Sequence, residues 1–201
     1  MRLGKVVKSN SHCDYVVQLD GERDVDRPPQ SGDYSFGSFV KLEEPNGRHW
    51  AIGVIHNSLL DNPMFANNGP RLSSEPDPLF TPDLISETRT LLSVVLIGTL
   101  ETQDEITYGV HGIPRIVVPV NTQVSRMSAE EIYQFHLSKA QQPQFCYYSH
   151  LLKCGGSFAS QLTQQVLDEL IESTVFPPAE QRALEILRKE LSWKNTMAAM
   201  R

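Results

Sequence analysis

Over the first sixty residues, apolar side chains recur in short runs close to a period of two, the spacing of a half-buried β-strand. "RLGKVVK" (2–8) and "CDYVVQL" (13–19) each carry a β-branched pair, Val6-Val7 and Val16-Val17, and the polar "SNSH" between them suits a turn. A Pro/Gly-containing loop, "RPPQSGDYS" (27–35), precedes strands expected over 37–43 ("GSFVKLE") and 49–57 ("HWAIGVIHN"). These two are joined by a hairpin turn at 44–47, where Asn46-Gly47 accepts positive φ. Residues 58–80 break the pattern: five of the 13 prolines fall between Pro63 and Pro82. This stretch reads as a surface excursion, with order resuming in a short helix over 81–92, where Thr81 caps and Pro82 takes the first helical position. "SVVLIGTL" (93–100) is the strongest strand in the chain. "EITYGVHG" (105–112) and "RIVVPVN" (115–121) add one or two more, with Pro119 at an edge or strand end.

From Met127 the period changes to about 3.6. "MSAEEIYQF" has the form of a capping box, with Ser128 as the cap, Glu131 reaching back, and Met127 and Ile132 as the flanking staple. "QFCYYSHLLKC" reads as an amphipathic helix. "SQLTQQVLDELIEST" (160–174) repeats Leu162, Val166 and Leu170 on one face, and "PPAEQRALEILRKELSW" (177–193) repeats Leu184, Leu187 and Leu191. The pattern therefore predicts a mainly β region at 1–123, with an insertion at 58–80, followed by a helical region at 124–201.

Glycine refines the β part. Gly4, Gly37, Gly53 and Gly98 each lie in or at the start of an expected strand, where glycine weakens packing unless the backbone needs it. Small closed barrels need it, because short strands must bend sharply to close. Close approach of backbone to a ligand is the rival explanation, and the bend is preferred.

Composition narrows the class further. The 201 residues carry a formal net charge of −6, and residues 1–123 hold all of it, with 10 Lys and Arg against 16 Asp and Glu. That half repels phosphate backbones, so direct nucleic-acid binding is disfavoured. No apolar run reaches the roughly 18 residues of a membrane span, and the N-terminus lacks a signal-peptide apolar core. A cytoplasmic location is expected. Three cysteines, Cys13, Cys146 and Cys154, form no disulfide framework and read as reduced thiols.

The opening Gly4-Lys5-Val6-Val7 strand, the Gly37-Ser38-Phe39-Val40 strand entry, the Ile52-Gly53-Val54-Ile55 and Ile97-Gly98 strands, and the exit past Pro114 and Pro119 into the Ser128 helix start together resemble the HAS-barrel. This is the small barrel at the N-terminus of HerA-type DNA translocases and rotary ATP synthase subunits. The resemblance covers residues 1 to about 135. It implies a small closed, Greek-key-like β-barrel that arranges subunits and offers a surface to partner proteins, with the ATPase domain absent here. A phosphate loop needs Gly-x-x-x-x-Gly-Lys-Ser/Thr. The nearest stretch, "KCGGSFAS" (153–160), has no Lys-Ser/Thr pair after its glycines, and Gly155-Gly156 reads as a helix stop.

Candidate chemistry is sparse, and no catalytic, cofactor-binding or metal residue is assigned. His12-Cys13, with Asp14 as an orienting group, is the tightest nucleophile-like set, but neighbours on a strand face opposite ways. Cys146, His150 and Cys154 are spaced four and four, yet the outer two lie about 12 Å apart along a helix, too far to share one zinc. His49 and His56 would be about 23 Å apart on an extended strand, while His111 sits in a loop within reach of either. The expected function is a non-enzymatic adaptor or assembly module acting through protein contacts or self-association, without cofactor, with the 58–80 arm or the tail helices making the contacts. Two alternatives are a small hydrolase using Cys13 with a histidine, and a single-stranded nucleic-acid binder stacking bases on Tyr15, Phe39 or Trp50.

Overall fold

The computed structural model describes residues 1–43, 49–61, 89–154, 158–172 and 176–199. The hairpin turn expected at 44–47, most of the 58–80 insertion, the helix start at 81–88 and the Gly155-Gly156 stop lie outside these residues.

The described residues form seven strands: β1 (Arg2–Ser9), β2 (Asp14–Leu19), β3 (Phe39–Glu43), β4 (His49–Asp61), β5 (Arg89–Gln103), β6 (Ile106–His111) and β7 (Gln123–Arg126). All pairings are antiparallel, and six strands close a ring in the order β1-β2-β5-β4-β3-β7 and back to β1. The closure depends on β5. Its first half, Leu91–Val95, pairs with β2, and its second half, Gly98–Gln103, pairs with β6 along the same edge. β6 is therefore a hairpin extension outside the ring. Closure leaves no long open edge among the six barrel strands, which is how small barrels avoid edge-to-edge aggregation.

The structure departs from the sequence expectation in several places. Ser58–Asp61, the start of the insertion expected at 58–80, continue β4 and pair with Arg89–Leu92, and the helix expected over "QFCYYSHLLKC" begins only at Tyr148. Arg89–Leu92, the last part of the expected 81–92 helix, belongs to β5 because its backbone groups are taken by both β2 and β4. The expected strand at 115–121 is a loop, and the strand forms afterwards as β7, which pairs with β1 and β3. The barrel thus extends to Arg126, three residues past the expected boundary.

A 3-10 turn at Ser31–Asp33 precedes β3, and the described α-helices all follow β7: α1 (Ala129–Phe135), α2 (Tyr148–Cys154), α3 (Ala159–Glu172) and α4 (Pro178–Ala199). The capping box at the start of α1 forms in both directions. The Glu131 N–H donates to Ser128 Oγ at 3.2 Å, and the Ser128 N–H donates to Glu131 Oε2 at 2.8 Å. Met127 is buried in the same cluster against which Ile132 packs, as the staple requires.

Two hydrophobic cores share the strands β3, β4 and β5. Leu3, Val6, Val40, Leu42, Val94 and Leu96 fill the barrel interior. Phe39, Ile52, Val54, Val95 and Ile97 point outward and are covered by Phe135, Leu151, Leu162, Val166 and Leu170 from the helical layer. A strand buried on both faces reads as a continuous apolar run, which is why "VVLI" in β5 shows no alternation. One ion pair adds to the seam: Lys41 Nζ on β3 lies 2.6 Å from Glu131 Oε1 on α1. Burial pulls Lys41 down, but Glu131 and Glu43 carry it above its ordinary value. Exposed pairs contribute about 0–1 kcal/mol, against about 1.5–3 kcal/mol for each fully buried aliphatic or aromatic side chain, so packing holds the helices on the barrel.

The glycines divide by role. Gly4 and Gly53 sit where the pairing register shifts, between Arg2 and Gly4 and between Ile52 and Gly53, the bulges expected of a tightly curved strand. Gly37 adopts φ +91° ahead of β3. Gly98 flanks the second of these shifts, as the partner of Ile52. Gly98 and Gly109 also serve a second purpose: a Cβ at Gly98 would meet the Val110 carbonyl and the Phe135 ring, and one at Gly109 would overlap the Phe135 carbonyl. They form the seat on which the end of α1 rests. Gly109→Ala should therefore lower stability by about 3 kcal/mol, the upper part of the usual overpacking range. The urea midpoint would fall at unchanged m. Gly32→Ala, with nothing within 4 Å of the added carbon, should change stability by less than about 0.5 kcal/mol; equal effects of the two substitutions would contradict this packing.

Candidate functional site

The loop of residues 112–122 between β6 and β7 covers the end of the barrel where β2 begins. "GIPRIVVPVNT" is apolar but broken by Pro114 and Pro119, which lack the N–H that a ladder needs. The barrel supplies other partners. His12 Nε2–H donates to the Pro114 carbonyl at 2.7 Å, and the Val118 N–H donates to the buried Tyr15 hydroxyl at 3.1 Å. The Asn121 N–H donates to the Val6 carbonyl at 2.8 Å. Val118 is drawn into the barrel core and is 3% exposed, while Ile113, Ile116, Val117 and Val120 are 56%, 44%, 63% and 61% exposed. A loop clamped at three points thus holds four aliphatic side chains in water.

That arrangement has a thermodynamic reading. Fully burying such a side chain stabilises a protein by about 1.5–3 kcal/mol. The four exposed aliphatic side chains Ile113, Ile116, Val117 and Val120, on a backbone held at three points, forgo that gain in the chain as it stands. The sequence pattern placed a strand here, and contacts were expected from the 58–80 arm and the tail helices instead. The signal that distinguishes the two is the pair of prolines five residues apart around Arg115, Ile116, Val117 and Val118.

The candidate chemical residues occupy other places. Cys13 is buried at the head of β2, and burial pushes its thiol up, with Cys154 and Asp14 adding to the rise. That is the reverse of an activated nucleophile. His12 is committed to Pro114, and Asp14 Oδ1 lies 3.1 Å from His56 Nε2, so Asp14 orients His56 and not His12. His49 pairs with Glu43 at 3.2 Å. Tyr15, Phe39 and Trp50 are buried in the two cores and present no face to a nucleic-acid base.

Cys146 precedes α2, and its N–H donates to His111 Nδ1 at 3.1 Å. Cys154 Sγ lies 3.5 Å from His150 Nδ1, whose Nε2–H donates to the Leu96 carbonyl. The four-residue spacing brings His150 and Cys154 together, while Cys146 is used elsewhere. Among the described residues no three His, Cys, Asp or Glu side chains are placed to hold a metal ion.

A histidine–aromatic cluster lies beneath the helical layer, and its members are too far apart in sequence to be seen as a group. His136 is fully buried. Its Nδ1 faces the Ile132 carbonyl at 2.7 Å, and since a carbonyl only accepts, Nδ1 carries the proton; Nε2 accepts from the Tyr147 hydroxyl at 2.7 Å. His111 Nε2–H donates to the Phe135 carbonyl at 2.9 Å. Burial lowers His111 to about 4 and His136 to about 3, the backbone acceptors opposing this in both and His111 adding to it in His136. Burial likewise pushes Tyr147 well up. These rings are neutral structural parts, each with both nitrogens engaged.

A closed six-stranded antiparallel barrel with a helical layer on one flank and an apolar loop across one end defines the class of this chain as a small barrel with appended helices. The chain belongs to the family designated Domain of unknown function (DUF8166), whose model matches residues 1–201. No curated protein matches it. No described helix is long and apolar enough to cross a membrane.

Two predictions follow from these side-chain environments. A histidine held below its unfolded value of about 6.5 contributes stability that is complete above pH ~6.5 and is lost as pH falls toward the folded value, because the unfolded chain then binds more protons. Thermal or urea unfolding should therefore show stability falling between pH 6.5 and about 4, approaching about 1.4 kcal/mol per pH unit for each histidine; His136→Phe should flatten that slope even though it costs stability at pH 7. In the second, a thiol-specific reagent at pH 7 followed by peptide mass spectrometry should label the exposed Cys146 and Cys154 first and Cys13 slowest. Fast labelling of Cys13 in the folded chain would revive the hydrolase reading.

Proposed function

We propose that this protein is a non-enzymatic assembly module, a HAS-like, Greek-key-like barrel that binds a protein partner through the apolar loop across its open end. The observation that carries this reading is the clamped loop itself: His12, Tyr15 and Val6 fix its backbone, so Ile113, Ile116, Val117 and Val120 are presented without the ordering cost that a flexible loop incurs on binding. Ile186 and Trp193, seven residues apart on α4 and 60% and 69% exposed, put a second apolar group on the surface. The resemblance in the strand pattern gives the kind of partner, a HerA-type ATPase or nuclease, to which a barrel lacking its own motor would be docked. The buried Cys13 and the buried Tyr15, Phe39 and Trp50 support this reading over a hydrolase or a base-stacking surface.

Affinity purification of the tagged full-length chain from cytosol of its source organism, with mass spectrometry of what co-elutes, tests the proposal. A partner protein at near-equal stoichiometry is expected. An Ile116→Asp/Val117→Asp double variant, folded as judged by circular dichroism, should bind it more than about thirtyfold more weakly, as loss of a ~2 kcal/mol hot spot requires. If nothing co-elutes above background, or if the double variant retains its partner at the wild-type level, the loop is not the docking surface.

A further inference from the structure

A cleft of about 220 Å³ opens between the first turns of α4 and the segment leading into α2. Its walls are the rings of Phe145, Phe176 and His136 and the side chains of Leu184 and Leu187, and Glu180 stands at its edge. The rings form one connected group, with the His136 centroid 6.3 Å from Phe145 in a stacked arrangement and 5.6 Å from Phe176 edge-on. Two features make the cleft more than a packing fault. Glu180 Oε2 is buried with no hydrogen-bond partner among the described residues, and an unpaired buried carboxylate oxygen is costly to leave unmade. The imidazole wall, meanwhile, has no hydrogen left to offer it: Nδ1–H of His136 is given to Ile132 and Nε2 is taken by Tyr147.

Among the described residues that line the cleft, Glu180 is the one acidic side chain and no Lys or Arg stands beside it, while Gln144 donates its amide to the Gly109 and Leu137 carbonyls. Aromatic faces attract cations through their quadrupole, and a carboxylate beside them adds both charge and a hydrogen-bond acceptor. An anion would meet Glu180 unfavourably, and a neutral apolar molecule would leave its oxygen unpaired. A volume below the roughly 300 Å³ of sites for drug-sized ligands sets a small occupant.

From this geometry we infer that the cleft binds a small organic ammonium, a protonated alkylamine whose N–H groups bond Glu180 and whose apolar body packs between Phe145 and Phe176. The site is separate from the loop at 112–122 and does not depend on its partner.

Titration of the full-length chain with benzylammonium at pH 7, followed by calorimetry and by chemical-shift changes in ¹H–¹⁵N spectra, tests the inference, with benzyl alcohol as the uncharged counterpart. The expected result is saturable binding of the ammonium with shifts centred on Phe176 and Leu184, and binding of the alcohol weaker by about tenfold or more, as loss of one charge-assisted hydrogen bond implies. Glu180→Gln should reduce ammonium affinity by a similar factor and abolish the preference over the alcohol, while Glu190→Gln, exposed farther along the same helix, should leave both unchanged. Absence of saturable binding up to about 10 mM, a weak limit by ordinary affinity arithmetic, would overturn the assignment. So would equal affinity for ammonium and alcohol, or undiminished binding by Glu180→Gln. Should Glu180→Gln fail to fold, the comparison of the two ligands on the unaltered chain still decides.

Discussion

The structure depends on the double burial of β3, β4 and β5. In a small barrel standing alone, outward-facing positions meet water and the strands alternate. Here Phe39, Ile52, Val54, Val95 and Ile97 face outward and are still buried, because the helical layer lies over them. The barrel therefore cannot expose that flank without losing a core as substantial as its own interior, and the helices bury Phe135, Leu151, Leu162, Val166 and Leu170 in that same core. Barrel and helices form one packed unit joined at a shared sheet, with Phe135 seated on Gly98 and Gly109 as its tightest contact.

The same constraint explains which parts of the fold were legible in the sequence. β1, where half-buried Lys5 and Val7 flank buried Val6, shows a clear pattern, and the expected limits of β1 and β2 lie within a residue or two of those observed. The Ser128–Glu131 capping box was legible because its logic is local. Arg89–Leu92 was not. Thr81-Pro82-Asp83 is a sound local start for a helix, and only pairing with two distant strands draws the following residues into β5. Residues 115–121 failed for a related reason: their apolar run has strand composition, but Tyr15, more than a hundred residues earlier, takes the Val118 N–H that a ladder would have used.

The candidate sites were less legible than the fold. Four residues make one helical step, and His150 does lie against Cys154. Cys146, by contrast, precedes the helix and gives its N–H to His111, which the even spacing of the three does not reveal. The pairing of Asp14 with His56 and the meeting of His111, His136 and Tyr147 arise from the curvature of the sheet and from the chain's return past β6. No local pattern encodes them. Nor does the sequence reveal that Glu180, which suits the first turn of a helix by its charge, ends with one oxygen buried beside three aromatic rings.

The inward turn of Val118 has a consequence for how such a protein changes over evolutionary time. Because Val118 is the loop side chain drawn into the barrel core and the other clamps, at Pro114 and Asn121, use backbone groups, the exposed side chains at 113, 116, 117 and 120 contribute little to holding the barrel together. Substitutions there are nearly invisible to folding, and those at 118 or 15 are not. Surface chemistry and architecture are thereby written in separate letters of the same short segment, so the exposed positions are free to vary without rebuilding the scaffold that displays them.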